Sequence, residues 1–427
     1  MLPENDPSLT SWLTVAEHSD FPIQNLPFGI GRHKDMPGPG YSAVSVIGNT
    51  VIVLSALQRL DYFHGIALPE GIFEKEHLND FITLGQPVWR AVRKRLSELF
   101  RSDNPKLRDN GAGRNKCLLD IKDVTLMLPV SIGDYTDFYS SREHATNVGS
   151  MFRDPKNALM PNWLHLPVAY HGRASSIMVS GKNFHRPKGQ TMPAGAEKPV
   201  YGASKALDFE LEMAFVIGKP TELGQSISTK DAREHIFGMA LFNDWSARDI
   251  QRWEYVPLGP FLGKNFASTL SPWIVTLDAL EPFMTEAPKQ EPEVLPYLHR
   301  PFENSAFDIN LEVWLQPAGN GETKICVSNF KYLYWSIDQQ LAHHTVNGCN
   351  INIGDLMASG TISGPQPGSY GSMLELTWNG TKPLALNGGA QRKFIEDGDT
   401  VIIRGYAEKG KIRVGFGEAK AKVLPAI

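Results

Sequence analysis

The stretch "LDFELEMAFVIG", residues 207–218, sets a carboxylate at every second position of an otherwise apolar run. Successive side chains of a strand point to opposite faces. Phe209, Leu211, Met213 and Phe215 therefore share one face, and Asp208, Glu210 and Glu212 share the other. Neighbours two apart on a face sit about 6–7 Å from each other. Such a strand is accommodated in two ways. Either it lies at a sheet edge with its acids in water, or a cation neutralises them, because like charges this close shift their pKa values or recruit a hard metal such as Ca²⁺ or Mg²⁺. The strand alone leaves both open.

With 427 residues the chain is long enough for two or three domains and for a full enzyme core. Its 42% hydrophobic and 21% charged residues are ordinary for a soluble globular protein, which argues against extensive disorder. A net charge of −4 gives no global basic field, so neither nucleic acid nor a membrane surface is expected as a partner. Cys117, Cys326 and Cys349 are few, odd in number and far apart; this excludes a disulfide framework and points to a reducing compartment. The opening "MLPENDPSLTSWL" has no basic or apolar leader pattern, and no run approaches the 18 or so apolar residues of a spanning helix. A cytoplasmic protein is expected.

Local patterns divide the chain. "SAVSVIGNTVIVL" is two β-rich runs around Gly48-Asn49, a pair that suits a hairpin turn. In "QPVWRAVRKRLSELF" Pro87 suits a first helical turn, and Val88, Val92, Leu96 and Leu99 recur on one face. Residues 101–116 are polar with Pro and Gly and make the best linker candidate, so the boundary is placed between domains 1–118 and 119–427. Beyond it, short strands are punctuated by Gly, Pro and Asn, the pattern of a β-rich domain. Three segments break this with helices: "STKDAREHIF" with Ser/Thr caps, "SARDIQRWE" with Ser246 at the N-cap, and "SIDQQLAHH" with a Ser336/Gln339 capping box. The end reads as a hairpin turning at Glu408-Lys409-Gly410, followed by a further strand. The fold class is mainly β with a few helices.

Several residues in this framework can carry chemistry. Asp137 and Tyr139 share a face in "GDYTDFYSSREH", with His144 seven residues beyond Asp137. The apolar run Met239–Phe242 delivers Asp244 to a strand end just before a helix, a common place for a site. Asp137, Glu210, Glu212 and Asp244 together make an all-oxygen shell that suits Ca²⁺ or Mg²⁺ and not Zn²⁺. Arg153, Arg248, Gln251, Tyr255 and Lys264 can hold an anionic substrate and a developing oxyanion. Thr361 lies in a Gly/Ser loop, and Glu375 stands among apolar neighbours, where a carboxylate needs a partner. A histidine satisfies that need and becomes an oriented general base. The residues on their own point to a metal-dependent enzyme acting on a small acid.

The segments "IQNLPFGI", "IGDYTDFYSSREHATNVGSMFR", "PNWLHLPVAYHGRASS", "FELEMAF", "NDWSARDIQRWEYVPLGPFLGK", "HHTVNGCN" and "ASGTISG" resemble the fumarylacetoacetate hydrolase family along the whole chain. The resemblance implies a small N-terminal SH3-like barrel, a larger C-terminal β-roll domain and a homodimer. It implies hydrolysis of a carbon–carbon bond in 4-fumarylacetoacetate, giving fumarate and acetoacetate at the end of tyrosine and phenylalanine breakdown. Asp137, Glu210, Glu212 and Asp244 match Ca²⁺ ligands. Asp244, Lys264 through its backbone, and Ser268 match a nearby Mg²⁺ site, with Ser268 in place of the family's Thr and Ala267 where Gly is expected. His144 matches the catalytic base and Glu375 its orienting carboxylate, while Arg248, Gln251 and Lys264 match the oxyanion donors. Tyr139, Arg153, Tyr170, Gln251, Tyr255 and Thr361 match substrate contacts. Asp208 matches no ligand and is expected behind the site or in solvent.

Two rival readings follow. An acylpyruvate hydrolase or oxaloacetate decarboxylase shares the E-x-E metal core, but those proteins lack an N-terminal barrel. A calcium-binding β-sandwich for adhesion or sugar recognition explains the carboxylates and leaves His144, Glu375 and the cationic cluster idle.

Overall fold

The computed structural model describes residues 2–427. Near the N-terminus a five-stranded antiparallel sheet runs in the order 118–120, 50–53, 41–47, 29–32, 125–127. Its central hairpin turns at Gly48-Asn49 as expected, with Ile47 opposite Thr50. Gly48 has φ +55°, and a Cβ there would approach the Thr14 carbonyl oxygen to 2.5 Å, so only glycine fits. Strands 118–120 and 125–127 close the two sides of this sheet, so the expected 118/119 boundary falls inside it. The polar stretch before them is no loose linker. It folds as helices Pro105–Arg108 and Gly111–Cys117, capped by the Asn104 and Asn110 side chains, with Leu107 and Cys117 buried in the local core.

The helix Gln86–Phe100 has Pro87 in its first turn, as the sequence predicts. Its buried stripe includes Trp89 and Arg93 as well as Val92, Leu96 and Leu99, while Val88 is only half-buried. Trp89 packs edge-on against Phe237, ring centroids 4.9 Å apart, and so fastens the helix to the second unit.

That unit is built on a mixed eight-stranded sheet whose main path runs 169–171, 135–138, 356–358, 211–217, 236–244, 268–270, 177–179. The strand Leu211–Ile217 lies in its middle, paired on both sides, and every residue of it is buried. The solvated-edge alternative is therefore excluded. Alternation decides what each face meets. Leu211, Met213, Phe215 and Ile217 enter a core shared with a second, five-stranded sheet of strands 323–329, 310–316, 400–409, 412–424 and 184–185. Ala214 and Val216 enter the other core, together with Phe28, Phe81 and Trp89 of the N-terminal unit. Burying a side chain such as Met213 or Phe215 contributes about 1.5–3 kcal/mol, which fixes the register against a one-residue slip.

Other expectations are met unevenly. The capping box of Ser336 and Gln339 is formed, and the helix spans Ile337–Thr345. "STKDAREHIF" yields a single 3₁₀ turn, Ala232–His235, because the Ser228 and Thr229 hydroxyls are engaged by Asp231 and the His299 carbonyl. The helix Arg248–Glu254 does form, but Ser246 is not its N-cap: Ser246 pairs with Asp208, and the Arg248 amide donates to the Ala206 carbonyl. The C-terminal hairpin is two long strands, Thr400–Lys409 and Ile412–Leu424. The expected further strand is the continuation of the second one past a register shift, near which Gly417 has φ +70°.

Candidate active site

The expected single strand is broken: Leu207–Asp208 pairs with Ser246–Ala247, Glu210 bridges Ser372, and Glu212, inside the strand Leu211–Ile217, sits on the face that the N-terminal unit covers, just past the end of its apolar packing. Residue parity sets this placement: Glu212 precedes Ala214 by two, Asp244 follows Phe242 by two, and Asp137 follows Tyr135 by two, and Ala214, Phe242 and Tyr135 all belong to that second core. Strands 135–138, 211–217 and 236–244 of this one sheet thus bring carboxylates to one point, with strand 356–358 lying between the first two. Asp137, Glu210, Glu212 and Asp244 are all buried, with ligand oxygens within 4.8 Å of one another.

The two carboxylates toward one side are paired with cations. Glu210 receives Lys264 Nζ on one oxygen and Arg248 Nη1, at 2.7 Å, on the other. Burial works to raise its pKa, but Lys264 and Arg248 together hold it far below the ordinary glutamate range. Asp244 accepts from Lys264 Nζ at 2.7 Å, Ser268 Oγ at 2.7 Å and the Tyr170 hydroxyl at 3.0 Å. Lys264 is buried, which works to lower its pKa; the attraction of Asp244 and Glu210 outweighs this and keeps it an ammonium. Two of the three N–H groups of its ammonium are thereby engaged by carboxylates.

The other two acids have no such partners. Burial, followed by the repulsion of Asp244, pushes the Asp137 carboxyl well above the usual range; for Glu212 the causes are burial and then Asp137. Asp137 Oδ1 and Glu212 Oε1 are buried with no hydrogen-bond partner, while the other Glu212 oxygen accepts the Gly360 amide at 3.1 Å. Buried carboxylate oxygens without donors are costly. An oxygen-ligated divalent cation removes that cost, and the donor set has the chemistry such an ion prefers. The cluster is suited to bind a divalent metal.

A second pair lies beside it. His144 is in the first turn of the helix Arg142–Phe152, whose N-cap Ser141 accepts the His144 amide. His144 Nδ1 lies 2.6 Å from Glu375 Oε2, both residues nearly inaccessible to solvent. Glu375 also accepts from Ser372 Oγ at 2.7 Å, Ser363 Oγ at 2.9 Å and Asn147 Nδ2 at 2.9 Å. Burial would raise its pKa, but His144 and these donors lower it, so it stays anionic. An anionic acceptor assigns the proton to Nδ1 and leaves Nε2 with a free lone pair, the arrangement of an oriented base. The Tyr139 ring stands edge-on to the imidazole, centroids 5.2 Å apart.

The remaining residues fall in two groups. Thr361 is buried with its hydroxyl unpartnered, in the loop that also presents Gly360 to Glu212. Gln251 packs beside Gly263, the residue before Lys264; a Cβ on that glycine would come 2.6 Å from Gln251 Cβ. By contrast, Arg153 is exposed and donates to the Ala158 carbonyl, and Tyr255 is 50% exposed on the loop that follows the helix of Gln251. Ala267 is buried in the main core, where its methyl has packing partners. Asp208 is fully buried, not in solvent, and pairs with Arg248. The donors around Glu375 escaped sequence reasoning, although Ser372-x-x-Glu375 matches the capping-box pattern and the Ser372 hydroxyl does accept the Glu375 amide.

Comparison with known proteins places the whole chain in one family. The family described as fumarylacetoacetate (FAA) hydrolase C-terminal matches residues 134–424, and the one described as fumarylacetoacetase N-terminal matches residues 24–129. The chain is similar to fumarylacetoacetase of Homo sapiens, 54% identical over 98% of this chain and 99% of that protein. It is likewise similar to fumarylacetoacetase of Oryza sativa subsp. japonica, 52% identical over 98% of each chain. Among solved structures, a fumarylacetoacetate hydrolase from the psychrophilic Exiguobacterium antarcticum shares the fold at 15% identity and TM-score 0.52, over 94% of this chain and 99% of that one. Matched in both its parts and at more than half its positions, the chain belongs to the fumarylacetoacetate hydrolase family.

Proposed function

We propose that the chain hydrolyses the carbon–carbon bond of 4-fumarylacetoacetate to give fumarate and acetoacetate, the last step of tyrosine and phenylalanine catabolism. One observation carries the chemistry: a buried His144–Glu375 pair stands beside a buried four-carboxylate cluster that is itself edged by Arg248 and Lys264.

His144 Nε2 takes a proton from water, and the resulting hydroxide attacks the carbonyl on the fumaryl side. Arg248, Gln251 and Lys264 donate to the alkoxide that develops; Arg248 Nη2, buried with no partner, is free for this. The carbon–carbon bond then breaks, its electron pair leaves with the acetoacetate fragment, and a proton completes that fragment. Tyr139, Arg153, Tyr170, Gln251, Tyr255 and Thr361 contact the substrate. Asp137, Glu210, Glu212 and Asp244 would hold Ca²⁺, and Asp244 with Ser268 and the Lys264 backbone would border a Mg²⁺ site. Ca²⁺ held there would supply the Lewis acidity that stabilises the charge of a departing carbanion.

The same reading makes the protein a cytoplasmic homodimer. The three free cysteines suit a reducing compartment. Trp253, Tyr255, Val256, Leu258, Phe261 and Leu262 expose a run of apolar surface that a second copy would cover.

The test is loss of the substrate's enol-diketone absorbance when purified protein is added, with and without a chelator. Chelator-sensitive loss with recovery of fumarate and acetoacetate is expected. No loss with Ca²⁺ and Mg²⁺ present would redirect the assignment to another acyl substrate such as an acylpyruvate.

A further inference from the structure

Asp208 is the acid of the opening strand that neither the metal cluster nor the base uses, yet it is completely buried. A buried carboxylate is expensive unless its lone pairs are filled. Those of Asp208 are filled from two directions. Oδ2 accepts Arg248 Nε at 2.8 Å and the Leu374 amide at 3.0 Å; Oδ1 accepts the Met373 amide at 2.6 Å. Met373 and Leu374 open the single helical turn Met373–Leu376 from which Glu375 reaches His144. That turn already has a side-chain cap in Ser372, so capping alone does not account for a buried charge. The Arg248 fork supplies the rest of the reason. Its Nε is held by Asp208, in the short strand Leu207–Asp208, and its Nη1 by Glu210, just before the strand Leu211–Ile217, and Nη2 is left buried and unpartnered. A buried donor without a protein partner is placed to meet charge that develops during reaction.

We propose that Asp208 is a positioning residue that fixes, on one carboxylate, both the Arg248 guanidinium and the turn that carries Glu375; the kinetic part rests on the reaction assigned above. Asp208 thereby sets the separation between the group that stabilises the oxyanion and the group that orients the base.

The test is D208N, which keeps the volume but replaces one acceptor oxygen by a donor, assayed on the full-length chain with Ca²⁺ present. The expected result is a kcat about 100-fold below wild type with KM and the Ca²⁺ dissociation constant, from calorimetry, each within about threefold. A crystal structure of the variant is expected to show both the Arg248 guanidinium and the Met373–Leu376 turn displaced. A kcat within threefold of wild type, or Ca²⁺ affinity falling as far as kcat, overturns the proposal. So does a variant structure in which both groups stay in place. Should D208N fail to fold, D208E keeps the charge, displaces the oxygens and carries the same expectations. A wild-type chain inert toward fumarylacetoacetate would overturn the assigned reaction, and the variant structure would still decide the positioning claim.

Discussion

His144 and Glu210 depend on their neighbours in opposite senses, and that difference separates two variants. His144 touches Glu375 and no carboxylate of the cluster by hydrogen bond, so His144→Ala removes a base and leaves the cluster whole. Its kcat should fall by at least about 100-fold, with Ca²⁺ affinity in calorimetry within a few-fold of wild type. Normal turnover would refute the base assignment. Glu210 neutralises two buried cations, so Glu210→Gln leaves Lys264 and Arg248 each short of a partner. Activity and Ca²⁺ affinity should fall together, with a loss of about 3–5 kcal/mol in denaturant unfolding; unchanged affinity would remove Glu210 from the ligand set. At this scale the sequence was most legible where chemistry is rare. Carboxylates at every second position of an apolar run, and a lone Glu among apolar neighbours, are unusual enough to be singled out. Ser363, Ser372 and Asn147 are common residue types from separate segments, and only the fold shows that all three converge on Glu375.

Elements were readable when their signal was local. The Gly48-Asn49 hairpin, the proline-led helix at 86–100 and the Ser336/Gln339 box need no distant partner to form. Ser336→Ala should therefore cost about 1 kcal/mol, seen as a lower denaturant midpoint with kcat unchanged; an unaltered midpoint would mean that packing of Ile337 and Leu341 alone holds this helix. Elements were misread where a distant group takes over a local one. Ser246 has the residue type of an N-cap, but a strand pairing with Asp208 claims it, and a carbonyl from Ala206 does the capping. The 101–116 stretch has the composition of a linker, yet Asn104 and Asn110 each start a short helix. Polar composition marks exposure; it does not say whether the exposed residues also cap.

For the whole molecule, the central strand could not be placed from its own residues, because "LDFELEMAFVIG" fits an edge or an interior equally well. What places it is cover on both sides: the five-stranded sheet on one face, the N-terminal unit on the other. The surface gives a matching prediction. Leu258 is 97% exposed within the apolar run of residues 253–262, so, if the proposed homodimer forms through that run, Leu258→Asp should shift sedimentation toward the monomer. An unchanged dimer would move the contact elsewhere. The shared sheet face has a further consequence, for inheritance. Ala214, Val216, Phe237, Ala240 and Phe242 are covered only while the N-terminal unit sits on them, and the same strands carry Glu212 and Asp244 of the candidate metal cluster. A missense change in the first 100 residues that loosens this cover would wet a hydrophobic sheet and mark the chain for degradation, without touching a catalytic atom. Loss of activity would then appear as loss of folded protein, and a small molecule that tightens the cover would restore both.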